Sequence, residues 1–200
     1  MVRIGLEKQI GNAQKCTSST CLDKTVFQWF VMRDLKRSNA KQPAYKMLSD
    51  LKFEVFTPMT WKLHNIKGKQ IRKEVPIIPS LLFVYTSKNL LDKIVAKINT
   101  LQYRFVCDGH HSPMTVRDKE MQQFIHAVKS TLNPRIYTPT EITPEMIGKK
   151  VRIIGGPLDN YEGFLQKLQG SRNKRLFVEL PGLFTASVEV QRDFIQVLNS

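Results

Sequence analysis

Apolar positions along this chain follow two different rhythms, with a proline-bearing stretch between them. In the first, Val26–Met32 is apolar and aromatic almost throughout, which predicts a strand buried on both faces. Ser38 or Asn39 can cap a helix running to about Leu51, where Tyr45, Met47, Leu48 and Leu51 recur at helical spacing. Pro43 falls in its first turns, where a missing N–H costs little. Phe53–Phe56 predicts a short strand closed by Thr57-Pro58, and Ile66-Lys-Gly-Lys-Gln-Ile71 a hairpin tip turned by glycine. Ile77–Thr86 predicts another strand, entered through Pro79. Lys88–Asn99 predicts an amphipathic helix with Leu90, Leu91, Ile94, Val95 and Ile98 on one face. Tyr103–Cys107 reads as a strand, Asp108-Gly109 as a turn and Thr115–Val128 as a helix. This order implies an α+β domain: one antiparallel sheet with helices packed on it.

The second rhythm is all-β. Val151–Ile154, Gly163–Leu168, Arg175–Leu180, Ala186–Val190 and Phe194–Leu198 are five short strands separated by Gly/Pro turns, the pattern of a small, strongly bent barrel. The organisation expected is therefore a polar leader over 1–24, an α+β domain over 25–132, a linker over 133–146 and a barrel over 147–200. The linker is expected because Asn133–Pro144 holds three prolines and shows no apolar period. A barrel that moves independently of the first domain follows from it.

Composition sharpens this picture in three ways. A hydrophobic share of 42% with 24% charged residues is that of an ordinary globular protein. The formal net charge of +14 points to a polyanionic partner, nucleic acid first and anionic membrane second. More than half of that surplus lies between Arg33 and Lys73, with eleven basic residues against three acidic. Such a concentration fits a nucleic-acid-facing patch, although a solvated basic surface would have the same composition. Cys16, Cys21 and Cys107 cannot make an even disulfide framework and are expected as free thiols in a cytoplasmic protein. No apolar run approaches the roughly 20 residues of a membrane span, and Met1–Lys24 has no apolar h-region of a signal peptide.

The most specific pattern is Val151-Arg-Ile-Ile-Gly-Gly-Pro-Leu-Asp-Asn-Tyr-Glu-Gly-Phe164. Gly155 and Gly156 allow a tight turn at positive φ, Pro157 fixes its exit, and Gly163 permits a close backbone approach. This segment resembles the KOW motif. Upstream, Trp29-Phe-Val31, Phe56-Thr-Pro-Met59 and Pro79-Ser-Leu-Leu-Phe-Val84 stand in the order of a NusG N-terminal (NGN) domain. Together they resemble the NusG-type transcription elongation factors over roughly 26–198, and look closer still to specialised RfaH- and UpxY-like antiterminators.

That resemblance implies a fold, an activity and sites. The fold is an NGN-like α+β domain followed by a small SH3-like KOW barrel. The activity is binding to RNA polymerase and suppression of pausing or termination at particular operons, capsular polysaccharide operons among them. The implied clamp-binding patch is Phe30, Ile77, Ile78, Leu81 and Phe83, beside Trp29, although alternating apolar residues on a strand ordinarily feed a core. At Leu81 the family commonly has an aromatic. Arg33, Lys36, Arg37 and Lys41 match where relatives approach non-template DNA, a task that phosphate neutralisation near exposed aromatics would serve. Lys67, Lys69, Arg72 and Lys73 form a second cationic stripe. Leu183 and Phe184 fall where relatives recruit a ribosomal protein or Rho, either as an exposed anchor or as barrel filling.

Catalysis is not expected. His110-His111 are adjacent on an extended turn and point apart, and no Cys, Asp or Glu spacing completes a metal or proton-transfer site. No Walker loop, dinucleotide fingerprint or nucleophile elbow is present. No cofactor, no metal, no membrane and a monomeric state are expected. The alternative function is a KOW-containing RNA-binding protein of the ribosome, against which the aromatic-rich first domain argues.

Overall fold

The N-terminal domain is organised around β1 (Phe27–Asp34), whose residues 29–32 are buried on both faces. In this computed structural model residues 26–36, 42–66, 68–106, 111–167 and 174–198 are described. Expectations placed on 1–24, Arg37, Lys41, Lys67, the three cysteines, Asp108-Gly109 and His110 lie outside those residues. The expected first strand is present and runs two residues further, to Asp34. It pairs antiparallel with β5 (Leu81–Ser87), matching Trp29 to Tyr85 and Val31 to Phe83. β2 (Glu54–Phe56) continues the sheet on the far side of β5, and β6 (Leu101–Tyr103) and β7 (Thr115–Val116) pair with different parts of β1.

Alternation divides the sheet into two cores. Phe30, Met32, Leu82 and Val84 face α1 (Ala44–Asp50) and α2 (Lys88–Val95), meeting Leu48 and Leu91. Trp29, Val31, Leu81 and Phe83 face α3 (Asp118–Lys129), meeting Met121, Phe124 and Val128. The indole N–H of Trp29, buried in this layer, donates to Asp118 Oδ1 at 3.1 Å. That bond satisfies a donor which burial would otherwise leave orphaned, and it fixes the first turn of α3 against the sheet. The last expected helix therefore starts at Asp118, because Thr115 and Val116 are drawn into the sheet beside Phe30 and Trp29.

The first helix also starts late, at Ala44 after Pro43. Pro43 offers no side-chain cap, but the buried carboxylate of Asp34 accepts from Ala44 N at 2.7 Å and from Lys36 N at 2.9 Å. A carboxylate carried in from the end of β1 thus serves the orphan N–H and the positive end of the helix. Between β2 and β5 the chain runs out as a separate antiparallel hairpin, β3 (Met59–Ile66) and β4 (Lys69–Pro76), turned by Gly68 at φ 78°.

The second domain is one six-stranded antiparallel sheet curled about its own core. β9 (Ile147–Ile153), β10 (Glu162–Gln166), β11 (Lys174–Leu180), β12 (Phe184–Val190) and β13 (Ile195–Val197) follow the five expected strands. The hydrogen-bonded order is β13-β9-β10-β11-β12 and then a strand not expected, β8 (Arg135–Tyr137). β8 lies inside the segment read from sequence as linker and pairs Ile136 with Ala186. The same segment is ordered further by a capping box, Thr138 N to Glu141 Oε2 at 2.6 Å, which holds the Glu141 carboxyl below its ordinary range.

A buried polar network ties β8 to the barrel. Arg175, 5% exposed, donates to Ser187 Oγ at 2.8 Å, to Ser187 O and to Asn133 O at 2.9 Å, and pairs with Glu189. Ser187 Oγ in turn donates to Gln166 Oε1, and Gln166 Nε2 to the Tyr137 hydroxyl. The barrel packs on α3. Tyr161 donates to Gln123 O at 3.0 Å and its ring meets the ring of His126 at 6.0 Å. Burial pushes the Tyr161 hydroxyl pKa up. No helix among the described residues is long and apolar enough to cross a membrane.

Candidate nucleic-acid interface

The end of β1 leaves the protection of α3 at Arg33. Continuing the alternation of Trp29 and Val31, Arg33 stands on the α3 side of the sheet, yet it is exposed. It pairs with Leu81 of β5 on one side and Gln102 of β6 on the other. Beyond β6, Arg104 N donates to Val31 O at 2.9 Å, and Phe105 bridges to Pro113. These connections bring Arg33, Arg104, Tyr103 and Phe105 around one open cleft of about 560 Å³, with Ile78, Ser80 and Leu81 forming its wall. Phe105 is 44% exposed and its ring meets those of Tyr103 and His111 at 6.2 and 5.9 Å.

Arg33 and Arg104 stand on the α3 side of this sheet edge and the Tyr103 and Phe105 rings on its α2 side, so a strand of nucleic acid crossing the edge would meet both. The cations can neutralise phosphates while the rings offer faces on which bases stack. Tyr103 is held in place by donating to Asp92 Oδ1 at 2.8 Å. Burial, then this bond, pushes its hydroxyl pKa well up, while Lys88 leads the causes that hold Asp92 below the usual carboxylate range. Of the four expected basic residues, Arg33 lies on this cleft and Arg37 and Lys41 lie outside the described residues. Lys36 is half-buried, donating to Gln42 O at 3.0 Å and to Met47 Sδ at 3.2 Å, so it supports the approach to α1.

The five residues expected as one apolar clamp-binding patch do not share a surface. Phe30 faces α1 and α2; Leu81 and Phe83 face α3; all three are buried. Phe83 is fully buried, with the rings of Phe56 and Phe124 at 6.2 and 6.4 Å. Only Ile77 and Ile78, on the connection from β4 into β5, are half-exposed. Among the described residues no three His, Cys, Asp or Glu side chains come together as a metal site requires.

The NusG family profile, described as transcription termination factor nusG, matches residues 27–125. That match takes in β1, the hairpin, the cleft and most of α3. The chain carries a NusG-family domain. It is on that ground a transcription elongation or antitermination factor, of a family that acts without catalysis and in company with RNA polymerase. The solved structure titled "Domain interaction in Thermotoga maritima NusG" is 13% identical, with a TM-score of 0.44, and covers 87% of this chain and 98% of that one. Nothing about function follows at that score. No curated protein sequence matches the chain.

In this NusG-type chain the KOW segment behaves as its glycines require. Gly155 and Gly156 adopt φ of 88° and 72°, and Asp159 Oδ1 accepts from Gly155 N to close the turn around Pro157. A Cβ on Gly163 would come within 2.5 Å of Phe177 O, so no other residue lets β10 lie against β11. Leu183 and Phe184 are buried rather than presented at a turn. Phe184 reaches the first domain, with Arg104 over its ring at 5.4 Å. Sequence reasoning missed Arg104, Tyr103 and Phe105 as parts of a site. Tyr103 and Phe105 read as an ordinary strand, and only the pairing of β6 with β1 shows that they flank Arg33.

Proposed function

We propose that this chain is an operon-specific antiterminator that rides on elongating RNA polymerase and holds the non-template DNA strand in the Arg33–Arg104 cleft. The observation that carries the reading is the cleft itself, lined by Arg33, Tyr103, Arg104 and Phe105 inside the NusG-matching segment. Polymerase contact is assigned to the half-exposed Ile77–Ile78 edge beside it, which replaces the wider patch drawn from sequence. The resemblance to RfaH- and UpxY-like factors supports capsular polysaccharide operons as the targets. A ribosomal protein or Rho would reach Leu183 and Phe184 after the barrel parts from α3, since both are buried in the packed arrangement. The working unit is a monomer in the cytoplasm.

The test is a pull-down from lysate followed by a purified elongation assay. RNA polymerase should be captured, and pausing should be suppressed by the native chain but not by Arg33→Ala/Arg104→Ala. Capture of ribosomes without polymerase would return the chain to the ribosomal alternative. Full pause suppression by the double variant would remove the cleft from the mechanism.

A further inference from the structure

The β3–β4 hairpin has two chemically different faces. Its register places Met59, Trp61, Leu63, Arg72 and Glu74 on one face and Thr60, Lys62, His64, Lys69, Ile71 and Lys73 on the other. Met59, Trp61 and Glu74 line a cleft with α1 and the end of α3, so the first face turns toward the body of the domain at its base. On that face Arg72 lies over the Trp61 ring at 4.8 Å, which occupies both the cation and the aromatic. The second face turns away. Lys62, His64, Lys69, Ile71 and Lys73 are all exposed there.

The charges on that outward face are set against one another. Lys62 stands directly opposite Lys73, and cross-strand neighbours have Cβ atoms only about 4.5–5.5 Å apart. Like charges so placed destabilise a hairpin. Among the described residues no carboxylate pairs with Lys62, Lys69 or Lys73. The hairpin has no further strand to share the cost, since it stands as a two-stranded sheet of its own. A repulsive cationic plate is relieved when an anion lies across it.

We propose that this outward face binds the phosphate backbone of double-stranded nucleic acid, with Lys62, Lys69 and Lys73 as the contacting groups. Two features select a duplex over a single strand. The ladder is unbroken over strands of eight residues, about 26 Å, a length that spans several phosphates. It also carries no Phe, Tyr or Trp, because Trp61 is on the other face, so it lacks the large stacking platform by which single strands are held. Contacts of this kind position a protein on a duplex without reading its sequence. The proposal is independent of the Arg33–Arg104 cleft and uses a different surface.

The experiment measures binding of the full-length protein to a short fluorescein-labelled DNA duplex of arbitrary sequence by anisotropy, across a salt titration. Lys62→Gln/Lys69→Gln/Lys73→Gln should bind at least about tenfold more weakly at moderate salt, with a slope of log K against log salt shallower by roughly 2.7, or 0.9 per lost phosphate contact. Its melting temperature should hold or rise, because the Lys62–Lys73 repulsion is gone. The triple arginine variant should retain binding. An unchanged slope in the glutamine variant would overturn the proposal. So would an equal loss of binding to single-stranded DNA of the same length, or a loss confined to vesicles containing anionic phosphatidylserine. Should the glutamine variant melt early, failure of the folded arginine variant to bind would overturn it instead.

Discussion

Replacing Phe83 by alanine separates a core residue from a polymerase contact. Its side chain is fully buried between Phe56 and Phe124, and it stands opposite Val31 in the central strand pair. Truncating a buried phenylalanine removes its transfer free energy and leaves a cavity, together about 3–5 kcal/mol. Losing the tilted ring contacts to Phe56 and Phe124 places the expected cost toward the upper part of that range. For a chain of this size each kcal/mol corresponds to about 2–4 °C, so the transition should fall by roughly 6–20 °C. Phe83→Leu keeps most of the volume and should cost about 1.5 kcal/mol or less. Thermal melts followed by circular dichroism test this, with polymerase pull-down of the same two variants alongside. Polymerase binding should track the folded fraction in both. A native melt for Phe83→Ala combined with lost binding would refute the assignment, and would restore Phe83 to an exposed contact surface.

Three more outcomes follow from particular bonds. Asp118→Ala orphans the buried Trp29 indole N–H and should cost about 1–3 kcal/mol, read by urea denaturation, whereas Asp118→Asn should recover much of it. Arg175→Ala removes the donor shared by Asn133 O and Ser187 O. Limited proteolysis should then cut between residues 133 and 146 well before it cuts the native chain, and equal cutting rates would show that β8 is held without the network. The Tyr103–Asp92 pair gives a pH signature. The Tyr103 pKa is raised in the folded state, so the folded protein keeps that proton longer, and this stability is present below about pH 10 and lost as pH rises through the folded value. Melting temperatures taken from pH 8 upward should therefore fall less steeply in Tyr103→Phe. A parallel fall in both proteins would exclude the pair as its source.

The strands, the helices and the change from an α+β to an all-β pattern were legible in the sequence because they rest on local periodicity. Val26–Met32 is apolar but for Gln28, Leu91 and its helical neighbours keep a 3.6-residue spacing, and Gly155, Gly156 and Gly163 mark a turn and a close approach that no other residue permits. The NusG-type assignment was legible for the same reason, since short motifs in a fixed order carry it. What periodicity could not supply was the meaning of burial at each apolar position. An alternating strand presents the same pattern to a core and to a partner, and only α3 packing on the sheet put Leu81 and Phe83 inside. Prolines made 133–146 read as linker, because the strand there is three residues long and its approach is held by Arg175, 42 residues further along the chain from Asn133. The cleft gathers Arg33 and Arg104 from positions about seventy residues apart, joined by the pairing of β1 with β6. Local chemistry sets which elements form; side-chain partners distant in sequence are chosen by register and layer packing, which exist only once the chain has folded.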